Sequence, residues 1–185
     1  MTSPTKRRFN AHEVVMNPVD EPALGPTNDR SESPREASLP ERIRDLVEGE
    51  PYAVLATQGD TQPYGSVIAL AVSADLAQAA FCTSRATRKY NLLARCEHVA
   101  LVIDDRSKHG DDIRRVSAVT ATGRAAELAP GPDHDRWQAK LLARHPYLEE
   151  FLVSPSCAIF LVDIVRYLHV VRFQEVSQWV PRAGG

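Results

Sequence analysis

From residue 52 to residue 128 the chain is a succession of short β-rich runs, 52–57, 65–72, 79–82, 99–104 and 116–128. Turn-forming triplets such as Gln58-Gly59-Asp60 and Ser73-Ala74-Asp75 cut them apart. Most of the gaps are too short for the crossover helix that parallel strands require, so successive runs are expected to pair antiparallel. One helix interrupts the series, starting near Thr87 and carrying Tyr90, Leu92 and Leu93 to about Cys96. Upstream, Ser38 and Glu41 form a capping-box pair ahead of Leu39, Ile43, Leu46 and Val47 at helical spacing, and Gly49 supplies a stop. Downstream, Pro132 and Asp133 open a helix through Trp137, Leu141 and Leu142, which Pro146 ends or restarts as a short turn. Residues 157–164 and 167–173 read as two further strands, followed by an amphipathic extension that ends at Trp179. The expected fold is mainly β with a few helices, an antiparallel barrel or sandwich in one domain spanning residues 38–182.

Residues 1–37 are different in kind. Pro4, Pro18, Pro22, Pro26 and Pro34 stand among polar and charged residues, with Val14-Val15-Met16 as the one apolar island. Such a segment cannot offset its ordering entropy, so a disordered or loosely draped tail is expected, with the island free to dock on the domain or on a partner. In the whole chain of 185 residues, 43% are hydrophobic, 25% are charged and the net charge is -2, which suits a soluble globular protein without a general attraction to polyanions. Neither a nucleic-acid partner nor a membrane span is expected, since no run approaches roughly 18 apolar residues. Lys6-Arg7-Arg8 is followed by Phe9-Asn10-Ala11-His12-Glu13 where an export signal would be apolar. The three cysteines, Cys82, Cys96 and Cys157, are odd in number and far apart, which points to free thiols in a reducing, cytoplasmic setting.

The chemistry concentrates in residues 83–89. Thr83, Ser84 and Thr87 offer hydroxyls and Arg88 and Lys89 offer full charges where a strand runs into a helix, a combination suited to a phosphate monoester. The same residues also describe a helix capped by Thr87 with solvated cations on its surface. Spacing does not choose between the two.

The order of the surrounding motifs carries a resemblance. Leu55-Ala56-Thr57 leads into a turn with Gly59 and Pro63, and Gly65-Ser66-Val67-Ile68-Ala69-Leu70 follows as a second strand. Phe81-Cys82-Thr83 then precedes Arg88-Lys89, and Val99-Ala100-Leu101-Val102-Ile103-Asp104 precedes Thr122-Gly123-Arg124-Ala125. Over about half its length the chain resembles the pyridoxamine 5'-phosphate oxidase-like superfamily of FMN-binding split barrels. The resemblance implies a split β-barrel with FMN as cofactor, its phosphate held by Arg88 and Lys89 and Thr83 and Ser84 along the ribityl chain or ring edge. Thr87 belongs to the same loop, and Ser66 and Val67 would lie beside the isoalloxazine. It also implies a homodimer with the flavin at the interface, and an FMN-dependent oxidoreductase or flavin reductase acting on a small molecule or a reductant such as NAD(P)H.

The departures from the family matter too. The pyridoxine-type oxidases begin the second strand with Arg and end it with Lys, whereas this chain has Ser66 or Val67 and Ala71 there. Their C-terminal substrate signature is not recognisable, although Arg166, His169 and Trp179 are present. Residues 84–92 also resemble the haem-utilisation branch, which uses a histidine near its C-terminus; here His169 falls inside a probable strand, as a core histidine would. A non-catalytic flavin module and a deazaflavin-binding member are the other readings. No pair of histidines or cysteines has metal-ligand spacing, so no metal site is expected. Asp104, Asp105, Asp111 and Asp112 flank a charged loop that could overhang the flavin as a lid. Cys82, beside the basic loop, reads as a buried strand cysteine.

Overall fold

The computed structural model describes residues 37–59, 62–172 and 174–181. The expectations for residues 1–36, including the Val14-Val15-Met16 island, and for Phe173 lie outside the described residues.

Helix α1 (Leu39–Gly49) begins where the capping pair predicts: the Glu41 carboxylate accepts from the Ser38 backbone N–H at 2.7 Å and from its hydroxyl at 2.8 Å. Ile43, Leu46 and Val47 form its buried stripe. At its far end Arg144 donates to the carbonyls of Val47 (2.6 Å) and Glu50 (2.8 Å), supplying the donors that the last turn of a helix lacks.

Eight strands make one antiparallel sheet: β1 (Tyr52–Gly59), β2 (Gln62–Ala69), β3 (Ala71–Val72), β4 (Gln78–Ser84), β5 (His98–Asp104), β6 (Ala118–Glu127), β7 (Cys157–Val171) and β8 (Glu175–Trp179). Their order is β2-β1-β5-β6-β7-β4-β3, with β8 also on β7. β2 and β3 sit at opposite ends of this path, yet Leu70 is the one residue between them in the chain. The two ends must therefore meet, which curls the sheet into a barrel that stays split between β2 and β4.

The two strands expected over 157–164 and 167–173 are one continuous strand, β7. Its first part pairs with β4 from Cys157 to Asp163 and its last part with β8 from Tyr167 to Val171, while β6 runs along the other side. The bend between the two parts is absorbed by a register shift opposite Thr122/Gly123 of β6, where Val165 is the extra residue on β7. Gly123 lies against the Asp163 carbonyl so closely that no Cβ fits. In the same way the single run 65–72 is divided by Leu70 into β2 and β3.

Leu55, Phe81, Leu101, Ile103, Val119 and Val162 fill the barrel. Tyr167 is buried with them, and its hydroxyl donates to the Leu76 carbonyl at 2.7 Å. That bond holds a turn in which Leu76 adopts φ 61°, a conformation costly for a residue with a Cβ. Helices α3 (Pro132–Arg144) and α4 (Glu149–Leu152) cover the outer face of β4 and β7, where Trp137, Leu141, Leu152 and Ile159 form a second core. Pro146 restarts the chain as a single tight turn, Pro146–Leu148, between them. Among the described residues no helix is long and apolar enough to cross a membrane.

Candidate functional site

β4 delivers residues 83–87 directly into α2 (Arg88–Leu93), and the hydroxyls there hold the loop together. Thr87 caps the helix: its Oγ1 accepts from the Tyr90 N–H at 3.3 Å and donates to the Ser84 carbonyl at 2.8 Å. With its one proton so used, Thr87 accepts from the Thr83 hydroxyl at 3.0 Å. Thr83 is 4% exposed, so this bond also satisfies a buried polar group. Ser84 Oγ accepts from the Ala86 N–H at 3.2 Å, which keeps the Ser84 proton available as a donor.

Arg85 points away from its basic neighbours. It donates to the carbonyls of Pro155 (2.9 Å) and Cys157 (2.6 Å) and pairs with Glu127 at 2.5 Å. Tyr90 donates to the other oxygen of that carboxylate at 2.9 Å. Arg85 is thus the anchor that ties the loop to β6 and β7. Its carboxylate partner was not readable from spacing, because Glu127 is 42 residues away.

Arg88 and Lys89 remain. Leu92 seats α2 on Gly59, in a contact that leaves no room for a Cβ unless the leucine moves. This brings the helix start alongside β2. The exposed guanidinium of Arg88 lies 5.0 Å above the ring of Tyr64. Lys89 is half-buried, and burial holds its ammonium below the ordinary lysine range. No carboxylate pairs with it among the described residues. A partly desolvated cation without a counter-ion is the arrangement an incoming anion completes.

Ser66 and Val67 face opposite sides of β2, as alternate residues of a strand must. Ser66 pairs in register with Leu55 and turns inward, on the same side as Tyr64, and its Oγ is buried without a hydrogen-bond partner among the described residues. Val67 is 68% exposed on the outer face. β2 ends the strand order, so one edge of its backbone has no strand beside it. The structure therefore brings Arg88 to Tyr64, with Ser66 two residues further along the strand and Lys89 beside Arg88 at the start of α2. Thr83, Ser84 and Thr87 form the frame beneath them. Tyr64 was missed in the sequence; its place two residues before Ser66 on a strand facing the basic loop was the available signal.

The charged loop after β5 does not overhang this site within one chain. β1 and β5 run antiparallel, which puts Asp104 near the start of β1 while α2 packs on its end at Gly59. Lys108 pins the loop to Glu50 after α1 at 2.7 Å. His169 is 2% exposed and bonded to the Ser117 hydroxyl at 2.9 Å, the environment of a satisfied core histidine. Among the described residues no three His, Cys, Asp or Glu side chains cluster as metal ligands. Cys82 is half-buried, more open than expected of a strand cysteine.

Several solved structures share this architecture. A haem-binding protein from Mycobacterium smegmatis is 16% identical with a TM-score of 0.71, over 79% of this chain and 59% of that one. HutZ, the haem storage protein of Vibrio cholerae, is 12% identical with a TM-score of 0.62, over 78% of this chain and 95% of that one. An FAD-binding protein from Mesorhizobium loti is 18% identical with a TM-score of 0.58, over 72% of this chain and 94% of that one. The chain spans less than two thirds of the mycobacterial protein, and at these identities the likeness speaks for the fold. No functionally curated protein matches it in sequence. The family model for pyridoxamine 5'-phosphate oxidase matches residues 39–171, from the first turn of α1 to the last residue of β7. That match takes in both strands and the loop that frame Arg88 and Lys89, and covers well over half of the chain, which therefore belongs to the pyridoxamine 5'-phosphate oxidase-like family.

Proposed function

We propose that the protein binds FMN with its phosphate against Arg88 and Lys89, and acts as an FMN-dependent oxidoreductase or flavin reductase. The observation that carries this reading is Lys89, half-buried and without a counter-ion among the described residues, beside the exposed Arg88. A phosphate monoester carries close to two negative charges at neutral pH, matching two adjacent cations. The unpartnered Ser66 hydroxyl and the open edge of β2 supply donors and acceptors for a ring with polar edges, and Ser84 offers a proton to the ribityl chain. Thr83 and Thr87 contribute by fixing the loop, and Val67 lines the outer face of the same strand. When bound, the flavin supplies the redox chemistry, exchanging electrons with a reductant such as NAD(P)H and a small-molecule substrate. The chain's own task is to hold the phosphate and orient the ring. An open edge at β2 suits a site completed by a second copy of the chain, hence a homodimer.

The test is titration of the purified protein with FMN and with riboflavin, which lacks the phosphate. Replacing Arg88 and Lys89 together with Ala should weaken FMN on the order of 100-fold, as expected for two lost charge-assisted contacts. Riboflavin should change by less than about threefold on the same reasoning. Equal losses would mean that the phosphate lies elsewhere. Uptake of haemin with refusal of FMN would replace the flavin reading by the haem reading that the mycobacterial and Vibrio structures suggest.

A further inference from the structure

Two of the three cysteines meet at the base of the basic loop. In the β4–β7 register Cys82 lies opposite Ile159 and Cys157 lies opposite Ser84, so the two thiols occupy diagonal positions on one face of neighbouring strands. Both are free, half-exposed and packed against the second core under α3 and α4. The two sulfurs are near enough that charge on Cys157 disfavours ionisation of Cys82. Arg85 stands over Cys157, donating to its carbonyl at 2.6 Å, and Lys89 is a cation whose charge acts on Cys82. Cys96 is remote from this pair, near Gln58 and His98.

We propose that Cys157 and Cys82 form a redox-active dithiol, in which Cys157 reacts with hydrogen peroxide and Cys82 closes a disulfide between β4 and β7. The environments of the two sulfurs assign the roles. The Arg85 guanidinium, donating to the Cys157 carbonyl at 2.6 Å, places a positive charge beside Cys157 and favours its thiolate, whereas the neighbouring Cys157 sulfur and burial push Cys82 up. Cys157 is accordingly the thiolate. Its sulfur attacks one peroxide oxygen, the O–O bond breaks, an S–O bond forms, and the departing hydroxide takes a proton from solvent to leave as water. Cys157 is then a sulfenic acid, oxidised by two electrons, and the peroxide is reduced. The Cys82 sulfur next attacks the Cys157 sulfur, the S–S bond forms, the S–O bond breaks, and hydroxide leaves with the Cys82 proton as a second water.

Closure has a mechanical consequence. Diagonal partners in an antiparallel pair lie roughly 7–8 Å apart, whereas disulfides span up to about 6.8 Å between Cα atoms. The end of β4 must therefore move toward β7 by on the order of 1 Å. Thr83 and Ser84 follow Cys82 directly, so the bond that Thr83 makes to the cap of α2 is disturbed. Resting on the phosphate reading above, oxidation is then expected to weaken ligand binding at Lys89.

The test treats the full-length protein with hydrogen peroxide near pH 7 and maps its peptides without reduction. The expected result is one intramolecular Cys82–Cys157 disulfide, a loss of about 2 Da reversed by dithiothreitol, with Cys96 unmodified. Cys82→Ala should leave Cys157 as a sulfenic acid that a cyclic 1,3-dione traps, and Cys157→Ala should abolish trapping at Cys82. In the untreated wild type, iodoacetamide should label Cys157 at least about tenfold faster than Cys96. Oxidation spread evenly over the three cysteines, a bond to Cys96, or no disulfide would overturn the proposal, and the wild-type map decides this even if a variant misfolds. A disulfide that forms while FMN affinity stays unchanged would retain the dithiol and remove its link to the basic loop.

Discussion

Arg85 and Lys89 are four residues apart in one loop and have opposite fates. Arg85 finds a carboxylate and two carbonyls and becomes part of the frame, while Lys89 pairs with no carboxylate among the described residues. The sequence offered them as equals, since a run of basic residues says nothing about which of them a distant glutamate will neutralise. His169 illustrates the same scale. Burial holds its ring below the ordinary histidine range near 6.5; Arg42 adds to the effect and Asp105 opposes it. The unfolded chain therefore takes up a proton at this position before the folded chain does. The neutral ring's contribution to stability is full above about pH 6.5 and is lost as the pH falls through the lower, folded value. Thermal melts should accordingly show a drop in Tm between about pH 7.5 and 5.5. His169→Gln, which can still bond Ser117, should show a shallower drop. Parallel pH profiles for the two proteins would place the acid sensitivity at another group.

Among the elements, β7 holds the barrel together, pairing with β6, β4 and β8. Its length was not legible because Val165 and Arg166 read equally well as strand or as connection; the bulge that keeps the strand continuous is an extra residue, Val165, set against Thr122 and Gly123 of β6. Gly123→Ala would drive a methyl into the Asp163 carbonyl, a backbone atom that cannot swing aside. Chemical denaturation should show a loss of about 1–3 kcal/mol, the usual cost of overpacking. A neutral outcome would mean that the bulge relaxes freely. The helices were easier to read. Ser38 with Glu41, Thr87 and Pro132 mark their starts through local hydrogen bonding or fixed dihedral angles, which need no distant partner.

For the molecule as a whole, the sheet remains open where β2 and β4 approach, and the basic loop and Tyr64 lie at that opening. Val67 on β2, Val165 on β7 and Val176 on β8 are exposed apolar residues. Exposed apolar residues on strands are often covered by another chain. Sedimentation equilibrium at micromolar concentration should therefore give twice the mass of the chain, with FMN increasing the fraction of dimer. A single-chain mass with FMN bound would mean that one copy completes the site.

The sequence by itself determined the antiparallel class, the places of most strands along the chain, the helix starts and the basic loop. All of these follow from local chemistry: run length, turn residues, caps and the spacing of apolar side chains. The tertiary structure decided what depends on partners far along the chain. It neutralised Arg85 with Glu127, turned Ser66 inward and Val67 outward, moved the charged loop to the far end of β1, and brought Cys82 beside Cys157. The physical reason is that charge pairing, burial and strand register are properties of contacts, and several of those contacts join residues far apart in the chain, as Arg85 with Glu127 and Cys82 with Cys157 do.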